Sequence, residues 1–242
     1  MMSSPRVLAL SSSRSGKSTY LETAIPVIKK FLRDQPLRIA FIPFADADGS
    51  YDAYLAKVVQ GLKILPYNFD VVKREGAKTV IEQADVIMVG GGNTFKLLHH
   101  LYEYDLTDLI RHHVNSGKPY IGWSAGSNIA GLSIGTTNDM PIIEPKSFKA
   151  LGFFPFQINP HYINFRQDGH NGETRDERLH EYLKVNREAS IVGLPEGSAL
   201  QLEEGVLTLA GQVSAILFRL DKLDSNLLRT TINIGEDLSW LL

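Results

Sequence analysis

The chain is 242 residues long, 43% hydrophobic, and carries 25 Lys and Arg against 27 Asp and Glu for a formal net charge of −2. That length and apolar content suffice for one full core, so a single domain over residues 1–242 is expected. Near-neutral charge of mixed sign excludes the basic footprint of a nucleic-acid or membrane-surface binder, and the absence of cysteine removes disulfides, thiolate zinc sites and a cysteine nucleophile.

Met1-Met2-Ser3-Ser4-Pro5-Arg6 runs straight into a short apolar stretch without the longer apolar region and cleavage site of a signal peptide. No apolar run approaches the roughly 18 residues of a membrane span. The expectation is a soluble cytoplasmic protein with a small-molecule partner.

Val7-Leu8-Ala9-Leu10 reads as a strand, and Leu21, Ala24, Ile25, Ile28, Phe31 and Leu32 follow at helical spacing, with Pro26 predicting a kink or a late start. The same grammar continues with strand Ile39–Ile42, helix Tyr54–Leu65, strand Phe69–Val72, helix Ala77–Gln83 and strand Val86–Val89. Helices Phe95–Leu101 and Leu106–Val114 then lead to strand Tyr120–Trp123. Strands joined through helices run parallel, and nearly continuous apolar strands imply a sheet covered on both faces. The fold class is therefore α/β, a doubly wound, mostly parallel sheet. Beyond residue 190, the runs Ile191–Leu194, Ala199–Leu202, Val206–Leu209, Ala215–Phe218 and Thr231–Ile234 predict hairpin-linked strands, an antiparallel C-terminal extension of that sheet.

Gly122-Trp123-Ser124-Ala125-Gly126 follows a predicted strand and precedes a segment able to start a helix. A nucleophile on so sharp a turn needs neighbours without side chains, and the turn lifts its oxygen above the sheet edge. Ser124 is the candidate nucleophile; in isolation the same motif would be only a connecting turn. Gly90-Gly91-Gly92-Asn93 occupies the equivalent place after the preceding strand, where backbone N–H groups can face an anion. Gly92 and Ala125 would suit a tetrahedral intermediate as paired donors. A phosphate-binding or purely structural turn is the competing reading.

His161, in Asn159-Pro160-His161-Tyr162, is the candidate base, since imidazole titrates near neutral pH. His99-His100 and His112-His113 lie on amphipathic helices, where adjacent side chains diverge and lack metal-site spacing, while His170 and His180 fall in a polar stretch expected to be exposed. Two carboxylates compete to orient the base. Glu196, in Gly193-Leu194-Pro195-Glu196-Gly197, ends a predicted strand; Asp139 lies 15 residues after Ser124 in Thr136-Thr137-Asn138-Asp139-Met140-Pro141. Ser15-Gly16-Lys17-Ser18 is not a P-loop, because Ser11 stands where that motif requires glycine. Glu173, Arg175, Asp176, Glu177, Arg178 and Glu181 read as a solvated helix face.

Together, Val89–Phe95, Tyr120–Gly126, Thr136–Pro141, Gln157–His161 and Gly193–Gly197 resemble the peptidase E family of α-aspartyl dipeptidases, in order over at least residues 37–197. The resemblance implies a flavodoxin-like fold related to class I glutamine amidotransferase domains, with serine in place of their cysteine. It implies hydrolysis of Asp-X dipeptides without metal or cofactor, with Ser124 and His161 as the catalytic pair and Asp139 or Glu196 as the acid. It further suggests Arg175 as a bidentate clamp for the aspartate side chain, Glu173 or Asp139 as receiver of the α-amino group, and Asn93 as a substrate-binding residue. Ser127 and the segment after residue 200 depart from the family pattern. A cyanophycinase-like β-aspartyl peptidase and a non-catalytic binding module for acidic ligands are the alternatives, and a homodimer is an open alternative to a monomer.

Overall fold

The structure is a computed structural model describing residues 4–33, 35–166, 169 and 171–242; His170 and Met1 to Ser3 lie outside the described residues. A seven-stranded sheet runs in the order β3-β2-β4-β5-β1-β8-β9. Its parallel part comprises β1 (Val7–Leu10), β2 (Leu37–Ile42), β3 (Tyr67–Val71), β4 (Val86–Val89) and β5 (Tyr120–Trp123). Neighbours β3-β2-β4-β5 follow the 2-1-3-4 order of a flavodoxin-like sheet, and the N-terminal β1 takes the fifth place.

Alternate residues of these strands face two separate cores. Val7, Ala9, Ala40, Ile42, Ile87 and Val89 pack with α3 (Ala77–Gln83), α4 (Thr94–Glu103) and α5 (Thr107–Asn115). Leu8, Leu10, Ile39, Phe41, Val86 and Met88 pack with α1 (Ile25–Leu32) and α2 (Tyr51–Gly61). Because both faces are covered, the strands read as apolar runs rather than as alternations. A 3-10 turn over Glu22–Ala24 precedes α1, so Pro26 marks a late start, in the first turn where its missing N–H costs nothing. Among the described residues, no helix is long and apolar enough to cross a membrane.

The C-terminal strands divide. β8 (Ser198–Glu203) and β9 (Val206–Gly211) extend the main sheet antiparallel beyond β1. The others leave it. β6 (Gln157–Pro160) pairs parallel with β7 (Ile191–Leu194), which pairs antiparallel with β10 (Ala215–Leu220) and through it β11 (Leu227–Ile232), in a second, four-stranded sheet. The expected single extension is thus half extension and half separate sheet. Helix α7 (Arg175–Val185) closes over the second sheet around Tyr162, Leu179, Leu183, Ile191, Phe218 and Leu220.

Candidate active site

β5 ends at Trp123, and the chain turns at Ser124 into the one-turn helix α6 (Ala125–Asn128). Ser124 takes φ 54°, ψ −113°, a conformation that L residues rarely adopt and that packed surroundings must hold in place. A Cβ on Gly122 would fall on the Gly126 carbonyl oxygen, and one on Gly126 would fall on that of Val89, so the turn can form only with both glycines. The Tyr120 hydroxyl donates to the Gly126 carbonyl at 2.6 Å. Ser127 is fully buried, and its single hydroxyl proton is shared between the Leu10 and Gly122 carbonyls, so it braces the same turn.

His161 follows β6 and Glu196 lies two residues beyond β7. The β6–β7 register pairs Pro160 with Leu194 and so brings the two following segments together. The Ser124 hydroxyl lies 2.9 Å from His161 Nε2, and His161 Nδ1 lies 2.9 Å from Glu196 Oε1. A carboxylate can only accept, which puts the proton on Nδ1 and leaves Nε2 to accept from the serine. His161 also has a positive φ of 53°. Its N–H donates to Ser11 Oγ at 3.0 Å, and Ser11 in turn donates to the Leu194 carbonyl at 2.7 Å. Asp139 faces elsewhere. Its Oδ2 accepts from Thr94 N at 2.7 Å, Thr94 Oγ1 at 2.5 Å and Thr137 Oγ1 at 3.2 Å, at the start of α4.

Before that helix, Gly90 N–H is spent on Ile42 O and Asn93 N–H on Ala45 O, while Gly91 and Gly92 between them line a cavity of about 490 Å³ that reaches Ser124 and His161. Ala125 is the first residue of α6, so its N–H has no intrahelical acceptor. A chain of hydroxyls the sequence did not disclose holds the glycine turn: Trp123 Nε1 donates to Tyr20, Tyr20 to Tyr54, and Tyr54 to the Gly91 carbonyl. Burial pushes the Tyr20 and Tyr54 phenols upward, which keeps both as donors. Tyr54 was legible only as a helix residue, because nothing local distinguishes a packing aromatic from one in a relay. Lys57 and Asp46 also line the cavity.

Asn93 lines the cavity too, but both ends of its side chain are engaged: Oδ1 caps α4 by accepting from Lys96 N, and Nδ2 donates to the Met140 carbonyl at 2.8 Å. Arg175, half-buried at the start of α7, is not among the residues lining that cavity. Desolvation lowers its pKa, while Asp139 and Tyr162 favour its charge. Among the described residues none hydrogen-bonds or ion-pairs with its guanidinium. Glu173 is exposed and lies 3.6 Å from Arg178. The solvated reading of this helix fails at Asp176, which is buried and bound by the Tyr162 hydroxyl at 2.7 Å and Arg229 at 3.0 Å. On α4 the expected divergence of the histidine pair also fails, since His99 and His100 both turn a ring nitrogen towards Glu103.

The model of Peptidase family S51 matches residues 7–210. Peptidase E of Shewanella oneidensis is 51% identical over 236 residues, covering 97% of this chain and 98% of that protein; peptidase E of Shewanella amazonensis is 50% identical over 238 residues, covering 98% and 99%. Two solved structures share the fold. A putative peptidase E protein from Listeria monocytogenes superimposes with a TM-score of 0.67 at 22% identity, covering 86% of this chain and 99% of that one. A peptidase from an acI-B1 Actinobacterium gives 0.66 at 17%, covering 98% and 97%. Half-identity across nearly the whole length, in a fold that brings Ser124, His161 and Glu196 into one hydrogen-bonded row, means that the chain belongs to peptidase family S51.

Proposed function

We propose that this chain is a serine-type dipeptidase that removes N-terminal aspartate from Asp-X dipeptides, with Ser124 as nucleophile, His161 as general base and Glu196 as the acid that orients it. The observation that carries the reading is the unbroken row from Ser124 Oγ to His161 Nε2 and from His161 Nδ1 to Glu196 Oε1, both at 2.9 Å. Ser124 attacks the scissile carbonyl while His161 takes its proton and then returns it to the leaving amine. The acyl-enzyme is hydrolysed by water activated in the same way. The Gly92 and Ala125 amides receive the developing oxyanion; removing a donor of this kind typically costs about 100–1000-fold in kcat.

Arg175 is the proposed clamp for the aspartyl carboxylate, supported by its half-buried guanidinium, which is without an ion-pair partner among the described residues. Asp139 lies close enough to influence its charge and, with Glu173, is a candidate to receive the α-amino group. Asn93 contributes through the loop it holds, since its side chain fastens Met140 to α4.

The test is hydrolysis of Asp-Leu, β-Asp-Arg and a simple ester by the parent chain and by Ser124→Ala. Cleavage of Asp-Leu that disappears in the variant, with an unchanged circular dichroism spectrum, is expected. Preference for β-Asp-Arg would move the assignment to a cyanophycinase-like activity. Failure of a serine-directed acylating probe to label Ser124, with no turnover of any substrate, would leave a binding module.

A further inference from the structure

We infer that the C-terminal half of α4 carries a site for a divalent d-block cation of the zinc class, ligated by His99 Nε2, His100 Nδ1 and Glu103 and separate from the Ser124 row. The three donor atoms lie within 4.8 Å of one another. Glu103 Oε2 is 3.0 Å from His100 Nδ1 and 3.7 Å from His99 Nε2. Around a tetrahedral zinc with bonds of about 2.0–2.1 Å, neighbouring ligand atoms stand about 3.3–3.4 Å apart, so the two distances bracket the spacing that such an ion imposes.

The hydrogen bond on the far side of His99 strengthens the case. Its Nδ1 lies 2.8 Å from the Glu144 carbonyl, which can only accept, so Nδ1 carries the proton of the neutral ring. Nε2 then carries a lone pair and stands 3.7 Å from a carboxylate oxygen, beyond hydrogen-bond reach. A cation between the two would turn that spacing into a pair of ligand bonds. A histidine that donates one nitrogen to a backbone carbonyl and offers the other to its neighbours has the arrangement of a metal ligand held by an outer partner. His100 is fixed differently, with its ring stacked on Tyr104 at a 12° interplanar angle and edge-on to Phe44. To ligate, His100 moves its proton from Nδ1 to Nε2 and remains neutral, and Glu103 remains a carboxylate. No other group is consumed.

All three side chains are partly solvent-accessible, which leaves a fourth position open to water. The cation would tie Glu103 to His99 and, through the Glu144 carbonyl, to the loop that also carries Asp139 and Met140. No step of the proposed peptidase reaction passes through it.

The experiment is calorimetric titration of the full, tag-free chain with Zn²⁺, repeated on His99→Gln and Glu103→Gln, with His180→Gln as control. Binding of one equivalent that weakens at least tenfold in both cluster variants and is unchanged in the control is expected. Both variants leave the His100 stack on Tyr104 intact, and their circular dichroism reports whether the fold persists. Absence of saturable binding by the parent chain would show that a proton alone satisfies His99. Equal affinity in parent and cluster variants would place the ion elsewhere. Either result overturns the site.

Discussion

Glu196 and Asp139 sit in different hydrogen-bond environments, and that difference predicts different phenotypes. Glu196 faces an imidazole N–H. Its replacement by Gln keeps the size but removes the charge that stabilises the imidazolium, and lets the amide favour the wrong tautomer. For a triad acid the expected loss in kcat is roughly 1000- to 10,000-fold with KM little changed. Asp139 accepts from the first N–H of α4 and from two threonine hydroxyls. Asp139→Asn therefore weakens a helix start by about 1 kcal/mol and, through Arg175, acts mainly on KM. Steady-state kinetics on Asp-Leu with urea unfolding of both variants checks this. A kcat collapse in Asp139→Asn with near-normal Glu196→Gln would reverse the assignment.

The glycine-serine turn and His161 were legible in the sequence because each depends on its own neighbours. Which carboxylate stands against His161 was not, because that contact joins residues 35 apart. β6 gave little strand signal, since the polar Gln157 and Asn159 interrupt its apolar run. Both are buried and held by partners distant in sequence: the Asn159 amide nitrogen donates to the Thr136 carbonyl and to Asn138 Oδ1, while its Oδ1 has no partner among the described residues, and Gln157 accepts from Ser133. Without β6 there is no β6–β7 register, and without that register Glu196 has no address.

Among the elements, α5 contains a feature that its amphipathic pattern concealed. His112 and His113 read alike, yet His113 is buried and, among the described residues, its Nε2 has no hydrogen-bond partner. Burial, with nearby Lys118 adding to it, pushes its pKa down to about 4. In the unfolded chain a histidine titrates near 6.5. Above that pH the group is neutral in both states and its contribution to stability is fully present. As pH falls from about 6.5 towards 4, the unfolded chain gains a proton that the folded one refuses, so stability drops by up to about 1.4 kcal/mol per pH unit. Below about 4 the loss levels off. Urea midpoints between pH 7 and pH 4 should fall more steeply for the parent chain than for His113→Phe. Parallel slopes would mean that His113 is hydrated or partnered when folded.

At the scale of the whole molecule, the proposed catalytic row spans two sheets. Ser124 rides on β5 of the main sheet, while His161 and Glu196 follow β6 and β7 of the second. One edge of the second sheet is open, since β11 is largely exposed and the cluster under α7 is small, whereas its inner face joins the core of the main sheet through Ile158, Val192, Leu194, Ala215 and Leu217. Ser11, fully buried at the end of β1, bridges the sheets by donating to the Leu194 carbonyl and accepting from the His161 N–H. Ser11→Ala leaves the His161 N–H without its partner, at a cost of about 1–3 kcal/mol for that unsatisfied group, while the Leu194 carbonyl keeps only the Tyr162 N–H at 2.9 Å. The cost falls on the polar junction rather than on the apolar core that the two sheets share. Trp123 is buried in the main sheet and reports that sheet's unfolding by fluorescence. In the parent chain, loss of Asp-Leu hydrolysis and loss of the buried-tryptophan signal should occur at nearly the same urea concentration. In Ser11→Ala, activity should disappear first, because His161 and Glu196 drift from Ser124 while the main sheet still stands. Coincident transitions in the variant would mean that the two sheets unfold as one unit and that Ser11 does not set their alignment.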